Sequence, residues 1–420
     1  MSRRSARPPS GRRPGGRRPG GRQPGGRTRR FVATCPQGLE PVLATELEGL
    51  GLGPCTPRRG AVAFRGPLSA GYRACLWSRV ASRVLVQLGE GPAQDSDALY
   101  RTVRGIPWRP HLGPDHTLAV DFVGGNAALR HTGFGARRTK DAICDQLRAA
   151  TGRRPSIDLE HPDIRVHVHV AGEHCTVSLD LAGDPLHRRS AGVEGGRAPL
   201  KETLAAALLL LADWPAAAAA GRALVDPMCG SGSFLREGLA MAVGLPPGLP
   251  RRRWGFDRWR AHDRALWEGL VAEARATPRR PPPPVFGYDR DPGALETACA
   301  GLAGLGLGEA VRLLRVPLAL AEPPTEQPGF VITNPPYGAR LGSVADAEAV
   351  MALLGDVLRR RFLGWRAFVL TGSPRLARRL GLRPARRIPV WNGRIECRFL
   401  DVPISSRPVE RDRPDAGPVG

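Results

Sequence analysis

The hydrophobic rhythm of this 420-residue chain changes once, near its middle. From Phe31 to about Asp180, short alternating runs are mixed with helical ones. Leu39 to Leu50 has the spacing of an amphipathic helix, and Ala61 to Phe64 that of a strand. Leu118 to Val123 and Ile164 to Val170 alternate as half-buried strands do, and Cys175 to Leu181 follows as another. Arg137 to Leu147 reads as a helix with a basic start. Together these predict an α+β unit. A hinge rich in Arg and Gly follows, from His187 to Arg197, and Lys201 to Trp214 predicts a strong helix. Beyond it strands alternate with helices. The strand candidates are Ala223–Asp226, Val285–Tyr288, Val311–Val316, Val331–Thr333 and Ala367–Thr371, which predicts a parallel, doubly wound sheet. Arg387–Trp391 and Arg394–Val402 flank Asn392-Gly393, the signal of a closing antiparallel hairpin.

Composition changes this picture at the ends and in the choice of partner. Residues 1–30 hold eleven Arg and no acid, with Arg-Pro-Gly-Gly-Arg repeated at Arg13–Arg17 and Arg18–Arg22. Such a segment buries no core and is expected to be a disordered tail with affinity for phosphates, or a merely solubilising one. A second tail is expected over 406–420. The net charge of +23 points to a polyanion. Only two of the 62 basic residues are lysines, Lys140 and Lys201. They are retained by chance or because a compact ammonium is needed there. The eight cysteines form no CxxC pair, so no metal site or disulfide framework is expected. No apolar stretch is long enough to span a bilayer and no signal peptide opens the chain, so a cytoplasmic protein without membrane attachment is expected.

Three motifs carry chemistry. Asp226-Pro227-Met228-Cys229-Gly230-Ser231-Gly232-Ser233 joins a strand to a helix, and its glycines let backbone approach a ligand at the strand's carboxyl end. Asp289, in Gly287-Tyr288-Asp289-Arg290-Asp291, is placed to accept the ribose hydroxyls of a nucleoside cofactor, and Asp291 to cap the next helix. Asn334-Pro335-Pro336-Tyr337 follows an apolar strand. The Asn oxygen and a prolyl carbonyl suit an NH₂ group conjugated to a base ring, because accepting its hydrogens localises the lone pair toward a methyl sulfonium. The prolines stiffen that loop, and Tyr337 offers a ring for an extruded base. A fourth stretch, Arg251 to Arg260, interleaves Arg with Trp254, Phe256 and Trp259. It suits RNA contact, or it pins an insertion over 244–284 to the core.

The first and third motifs together resemble the THUMP-containing RNA methyltransferases. The likeness extends through Gly38-Leu39-Glu40, Leu76 to Arg83, Lys140 to Ile143, Pro162 to Val166, Leu179 to Leu181, Pro199 to Ala205 and Arg253 to Phe256. It covers most of 31–402 and is strongest to the RlmL-type enzymes that methylate guanine N2 of large-subunit rRNA. The resemblance implies an α/β protein in five parts: tail 1–30, a ferredoxin-like plus THUMP RNA-binding module over 31–181, and a linker over 182–200. A Rossmann-like class I methyltransferase domain then spans 201–405, ahead of the 406–420 tail. It implies S-adenosylmethionine held by Asp226, Pro227, Met228, Gly230, Ser231, Gly232, Asp289 and Lys201. Catalysis is expected at Asn334, Pro335, Pro336 and Tyr337, and RNA contact at Lys140, Arg137, Arg138, Arg253 and Trp254. The partner is ribosomal RNA of the large subunit or its precursor particle. Some relatives carry a second methyltransferase domain, so a single activity is expected here.

This sequence departs from the family pattern in three places. Arg189-Ser190-Ala191-Gly192 stands where Arg-Gly-Tyr-Arg is frequent, so an interaction made there is either missing or supplied by Arg197. Val316-Pro317-Leu318 stands where a carboxylate usually meets the cofactor's adenine amine, with Glu322 the nearest substitute. Ser233 replaces Thr and keeps a hydroxyl. The competing readings are DNA adenine-N6 methylation, methylation of a protein glutamine amide, and a non-catalytic rRNA-binding assembly factor.

Overall fold

The computed structural model describes residues 27–189, 200–336 and 343–405. Tyr337, Arg197 and most of both tails lie outside these. The fold begins two residues earlier than the hydrophobic pattern indicates. Arg29 and Arg30 already belong to a strand, where Arg30 faces Arg65 in the ladder and its side chain pairs with Glu90 at 2.8 Å.

The first half contains β1 (Arg29–Thr34), α1 (Glu40–Gly49), β2 (Thr56–Arg58), β3 (Ala61–Gly66), α2 (Leu68–Trp77) and β4 (Arg83–Pro92). It continues with α3 (Ser96–Arg104), β5 (Thr117–Gly125), α4 (Thr132–Thr151), β6 (Ser156–Ile157), β7 (Ile164–Ala171) and β8 (His174–Asp180). These eight strands form one continuous sheet in the order β2-β3-β1-β4-β8-β7-β5-β6. Alternation sets its faces: Val166, Val168 and Val170 of β7 are buried, with half-exposed or exposed residues between them. β4 pairs antiparallel with β8 from Leu85↔Asp180 onward, and this pairing fuses β1–β4 with β5–β8 into one sheet.

The second half contains α5 (Glu202–Leu211), α6 (Trp214–Ala219), β9 (Leu224–Asp226), α7 (Ser233–Ala242), α8 (Arg264–Ala276), β10 (Val285–Asp289) and α9 (Pro292–Ala303). β11 (Val311–Arg315), β12 (Phe330–Thr333), α10 (Val344–Arg361), β13 (Arg366–Thr371), α11 (Pro374–Arg379), β14 (Arg386–Asn392) and β15 (Ile395–Pro403) complete it. The sheet order is β11-β10-β9-β12-β13-β15-β14, parallel from β11 to β13, with β15 antiparallel to both its neighbours. After β9 the chain runs to β10 on one side, and β12 lies on the other. A crevice therefore opens at the carboxyl ends of β9 and β12.

Two expectations are corrected. The helix expected over Lys201–Trp214 stops at Leu211. Asp213 takes φ +58, and Pro215, which lacks an amide hydrogen, sits in the first turn of a new helix. The hairpin is present, but Asn392 pairs with Ile395, so the turn is Gly393-Arg394, with Gly393 at φ +64.

The segment between α7 and α8 clasps the two halves together. Gly248 N–H donates to the Leu76 carbonyl (3.0 Å) and Gly255 N–H to that of Leu181 (3.1 Å). Tyr72 OH lies 2.6 Å from His262 Nδ1, and Arg251 spreads its guanidinium over the carbonyls of Ala182, Asp184, Pro185 and Arg188. Trp254, Phe256 and Trp267 pack on one another and, through Phe256 and Trp267, against Tyr72. Of the two roles open for the Arg251–Arg260 stretch, the structure shows the pinning one. Trp254 is 6% and Trp259 2% exposed, which corrects Trp254 as a surface for RNA bases.

Candidate active site

The end of β9, the turn into α7 and the end of β10 are locked by short bonds. Cys229 N–H donates to the Tyr288 carbonyl (2.9 Å) and Gly232 N–H to the Cys229 carbonyl (2.8 Å). Gly230 N–H donates to Asp289 Oδ2 (2.9 Å), and Asp291 N–H to Asp289 Oδ1 (3.0 Å). Asp289 is thus held at both oxygens, each keeping a lone pair for a ligand. Asp291 caps α9 by accepting the Gly293 amide. The two loop glycines have different tasks. Gly230 (φ +52) would carry a Cβ into open space, so it opens the loop, whereas a Cβ on Gly232 (φ +73) would lie 2.9 Å from Ala298 on α9.

Asp226 is buried, with Oδ1 accepting the Met228 amide at 3.2 Å. Burial raises its pKa to about 7, and the charge of Asp289 adds to the rise. A buried acid poised there is suited to ionise beside a cationic ligand. Pro227 is buried, while Met228 and Ser231 are half-buried beside it. Ser233 Oγ donates to the Leu200 carbonyl (3.0 Å), which sets the neighbouring Lys201 at the exposed start of α5.

Asn334 follows β12, whose residues Phe330 and Val331 pair with Leu224 and Val225 of β9. Asn334 and Asp226 therefore leave adjacent strands at the same edge. The Asn334 Oδ1 is buried and has no hydrogen-bond partner among the described residues. A buried amide oxygen left unpaired is costly, and such groups mark sites that await a ligand. Pro335 is buried and Pro336 half-buried.

Pro317 leads into a short 3₁₀ turn, Leu318–Leu320. The Glu322 carboxylate is turned to Arg361, 3.6 Å away, while its carbonyl accepts the Tyr288 hydroxyl (3.2 Å). The expected RNA contacts divide. Arg137 is exposed. Arg138 is held by Asp97 at 2.6 Å and lies 4.3 Å over the Tyr100 ring, and Lys140 pairs with Asp141. Arg253 donates to the carbonyls of His161 (2.9 Å) and Pro162 (3.1 Å) and so ties the clasp to the first half.

Sequence reasoning missed a buried charge cluster between the halves. Glu237 on α7 pairs with Arg189, whose guanidinium also bonds the Arg79 carbonyl, while Arg79 donates to the Ala240 carbonyl (3.2 Å). Its visible signal is Arg236-Glu237 inside an otherwise apolar helix. Arg189 therefore serves the domain junction at the point where the sequence leaves the family pattern.

A 3-2-1-4-5-7-6 sheet with a Gly-rich turn after its first strand and Asn-Pro-Pro after its fourth defines a class I methyltransferase. The chain belongs to the RMKL-like methyltransferase family, which it matches over residues 189–401. Residues 30–85 match the RlmL ferredoxin-like domain and 93–180 the THUMP domain. It is 44% identical over 380 residues to the ribosomal RNA large subunit methyltransferase K/L of Pseudomonas aeruginosa, covering 89% of this chain and 52% of that protein. With the protein of the same name from Methylococcus capsulatus it shares 46% over 376 residues, 89% of this chain and 51% of the relative. The chain thus spans about half the length of these curated relatives. Among solved structures, a methyltransferase complexed with SAH (SMU.472) superposes with a TM-score of 0.79 at 26% identity, over 91% of this chain and 99% of its own. A Listeria monocytogenes protein described as a predicted N6-adenine-specific DNA methylase superposes with a TM-score of 0.79 at 27% identity, over 90% and 96%. Among the described residues no helix is long and apolar enough to cross a membrane.

Proposed function

We propose that this chain transfers a methyl group from S-adenosylmethionine to the N2 amine of a guanine in large-subunit ribosomal RNA. The observation that carries the reading is the unpartnered, buried Asn334 Oδ1 beside the Gly230 loop. The names of the relatives supply the substrate class, the +23 charge suits a polyanion, and the THUMP match favours RNA over DNA.

The residues present fit the cofactor. Gly230 leaves empty the open space that a Cβ would take, Asp289 keeps acceptor capacity for a ribose diol, and Asp226 gains a reason to ionise. Lys201, Pro227, Met228 and Ser231 border the same loop. When bound, S-adenosylmethionine supplies an electrophilic methyl on a sulfonium. Asn334 Oδ1 and the Pro335 carbonyl accept the two amine hydrogens of the guanine, which turns the nitrogen lone pair out of ring conjugation. Buried Pro335 and its neighbour Pro336 hold these acceptors before the base arrives, so little reorganisation accompanies reaction. The role of Tyr337, stacking on the base, completes the proposal.

The test is transfer of labelled methyl to unmodified large-subunit rRNA, with DNA in parallel, followed by nucleoside analysis. N2-methylguanosine is the expected product. Label in DNA adenine, or none in either polymer, overturns the assignment.

A further inference from the structure

The closing hairpin is longer than the sheet it closes. Thr371, the last residue of β13, pairs with Arg398, yet the β14–β15 ladder continues to Asn392↔Ile395. Residues 395–397 therefore overhang the end of β13 by about 10 Å, at roughly 3.3 Å per residue. That end is the catalytic rim. Thr333 pairs with Val369, so Asn334 leaves its strand at the level of Leu370, one strand from β13 and two from β15. Two strand spacings are also about 10 Å. The hairpin tip thus stands beyond the strand end from which Asn334 leaves, two strands to the side.

One of its side chains suits neither solvent nor the core. Ile395 shares a sheet face with Cys397 and Phe399, which are 1% and 0% exposed, but is itself 48% exposed. The apolar row thus runs past the core that would cover it. Arg394, in the turn, is exposed beside it. The tip is also braced from behind. Gly38 (φ +89) comes so close that a Cβ there would lie 3.0 Å from the Trp391 ring and 3.1 Å from the Pro389 carbonyl oxygen. Glu40 in turn fixes the Gly38 loop by accepting the amides of Gly38 and Gly60, both at 2.7 Å. A braced, stiff, β-branched apolar side chain at the rim of a base-modifying site, next to a cation, has the makings of a wedge.

We infer that Ile395 enters the gap left in the RNA stack when the target guanine is extruded, with Arg394 on a neighbouring phosphate. The inference rests on the proposed RNA methylation. Extruding a base costs unstacking energy unless something takes its place, and that cost disappears when the target is already unpaired. The wedge therefore matters for a paired target and not for a single strand.

The experiment compares wild type, Ile395→Ala and Ile395→Leu on a synthetic RNA duplex spanning the guanine that label mapping identifies, and on the target strand alone. Binding of S-adenosylhomocysteine serves as the control for folding. Ile395→Ala is expected to lose about tenfold or more in kcat/KM on the duplex and less than about twofold on the single strand, with Ile395→Leu restoring most of the loss. An Ile395→Ala variant that matches wild type on the duplex, or is impaired equally on both RNAs, overturns the wedge and leaves the methylation reading standing. Label mapping that finds no methylated guanine in the rRNA overturns the methylation reading and the wedge with it.

Discussion

Gly230 donates its amide hydrogen to Asp289 across 2.9 Å, so the residue that ends β10 also sets the shape of the loop that ends β9. Cofactor affinity should therefore depend on Asp289 twice, through direct contact and through the loop. Asp289→Ala leaves the Gly230 amide without its acceptor, a loss of about 1–3 kcal/mol before any direct contact is counted. Calorimetric titration with S-adenosylhomocysteine should show Kd raised at least about tenfold. Asp289→Asn, which retains an acceptor oxygen, should be milder.

Asn334 should separate binding from chemistry. Its Oδ1 has no partner among the described residues, so Asn334→Ala breaks no bond of that oxygen there. The methylation rate under saturating cofactor should fall about 100-fold, as when one preorganised polar group is removed from other active sites. Cofactor Kd should stay within about twofold. A parallel loss of both would make Asn334 a cofactor ligand instead.

Asp226 makes cofactor binding depend on pH. Its carboxyl is raised to about 7 by burial, from about 3.9 in an unfolded chain. Burial thus favours the neutral acid. Its contribution to stability is fully present below about pH 4 and is lost as pH rises through 7. A cationic cofactor favours the carboxylate, so binding below pH 7 should release a proton and tighten up to about tenfold per pH unit, then level off above 7. Calorimetry in buffers of different ionisation enthalpy measures that proton. Asp226→Asn should abolish the dependence.

Glu237 should matter for stability more than for chemistry. With Glu237→Ala, Arg189 and Arg79 keep their buried charges and lose the carboxylate that neutralises them. Breaking such a pair costs about 3–5 kcal/mol. Urea unfolding should show the loss, and a further Arg189→Met substitution should recover part of it.

The strands read from the pattern were legible to within a residue or two, because Val166, Val168 and Val170, or Leu224 and Val225, announce a buried sheet locally, whereas β1, β2, β4 and β6 went unread. The Gly230 loop and Asn334 were legible because their chemistry lies in a few consecutive residues. Asp213 was missed because Trp214-Pro215 reads as a continuation until the positive φ ahead of it is known. Trp254 could be read either way, since it packs on Phe256 and Trp267, and those rings are set against Tyr72, nearly 200 residues earlier. Separation in the chain also hid the partnership of Glu237 with Arg189, 48 residues earlier. The overhang of Ile395 is a property of ladder register, which a hydrophobic pattern does not reveal.

The clasp between α7 and α8 has a consequence for how the molecule could be divided. Trp254, Phe256 and Trp259 belong by chain order to the catalytic half but complete the core of the other. Severing the backbone between Arg189 and Leu200 would leave two fragments interlocked through these rings. Produced separately, each fragment would expose an apolar face meant for its counterpart and depend on the other for solubility. The two halves are thus built around a shared set of rings.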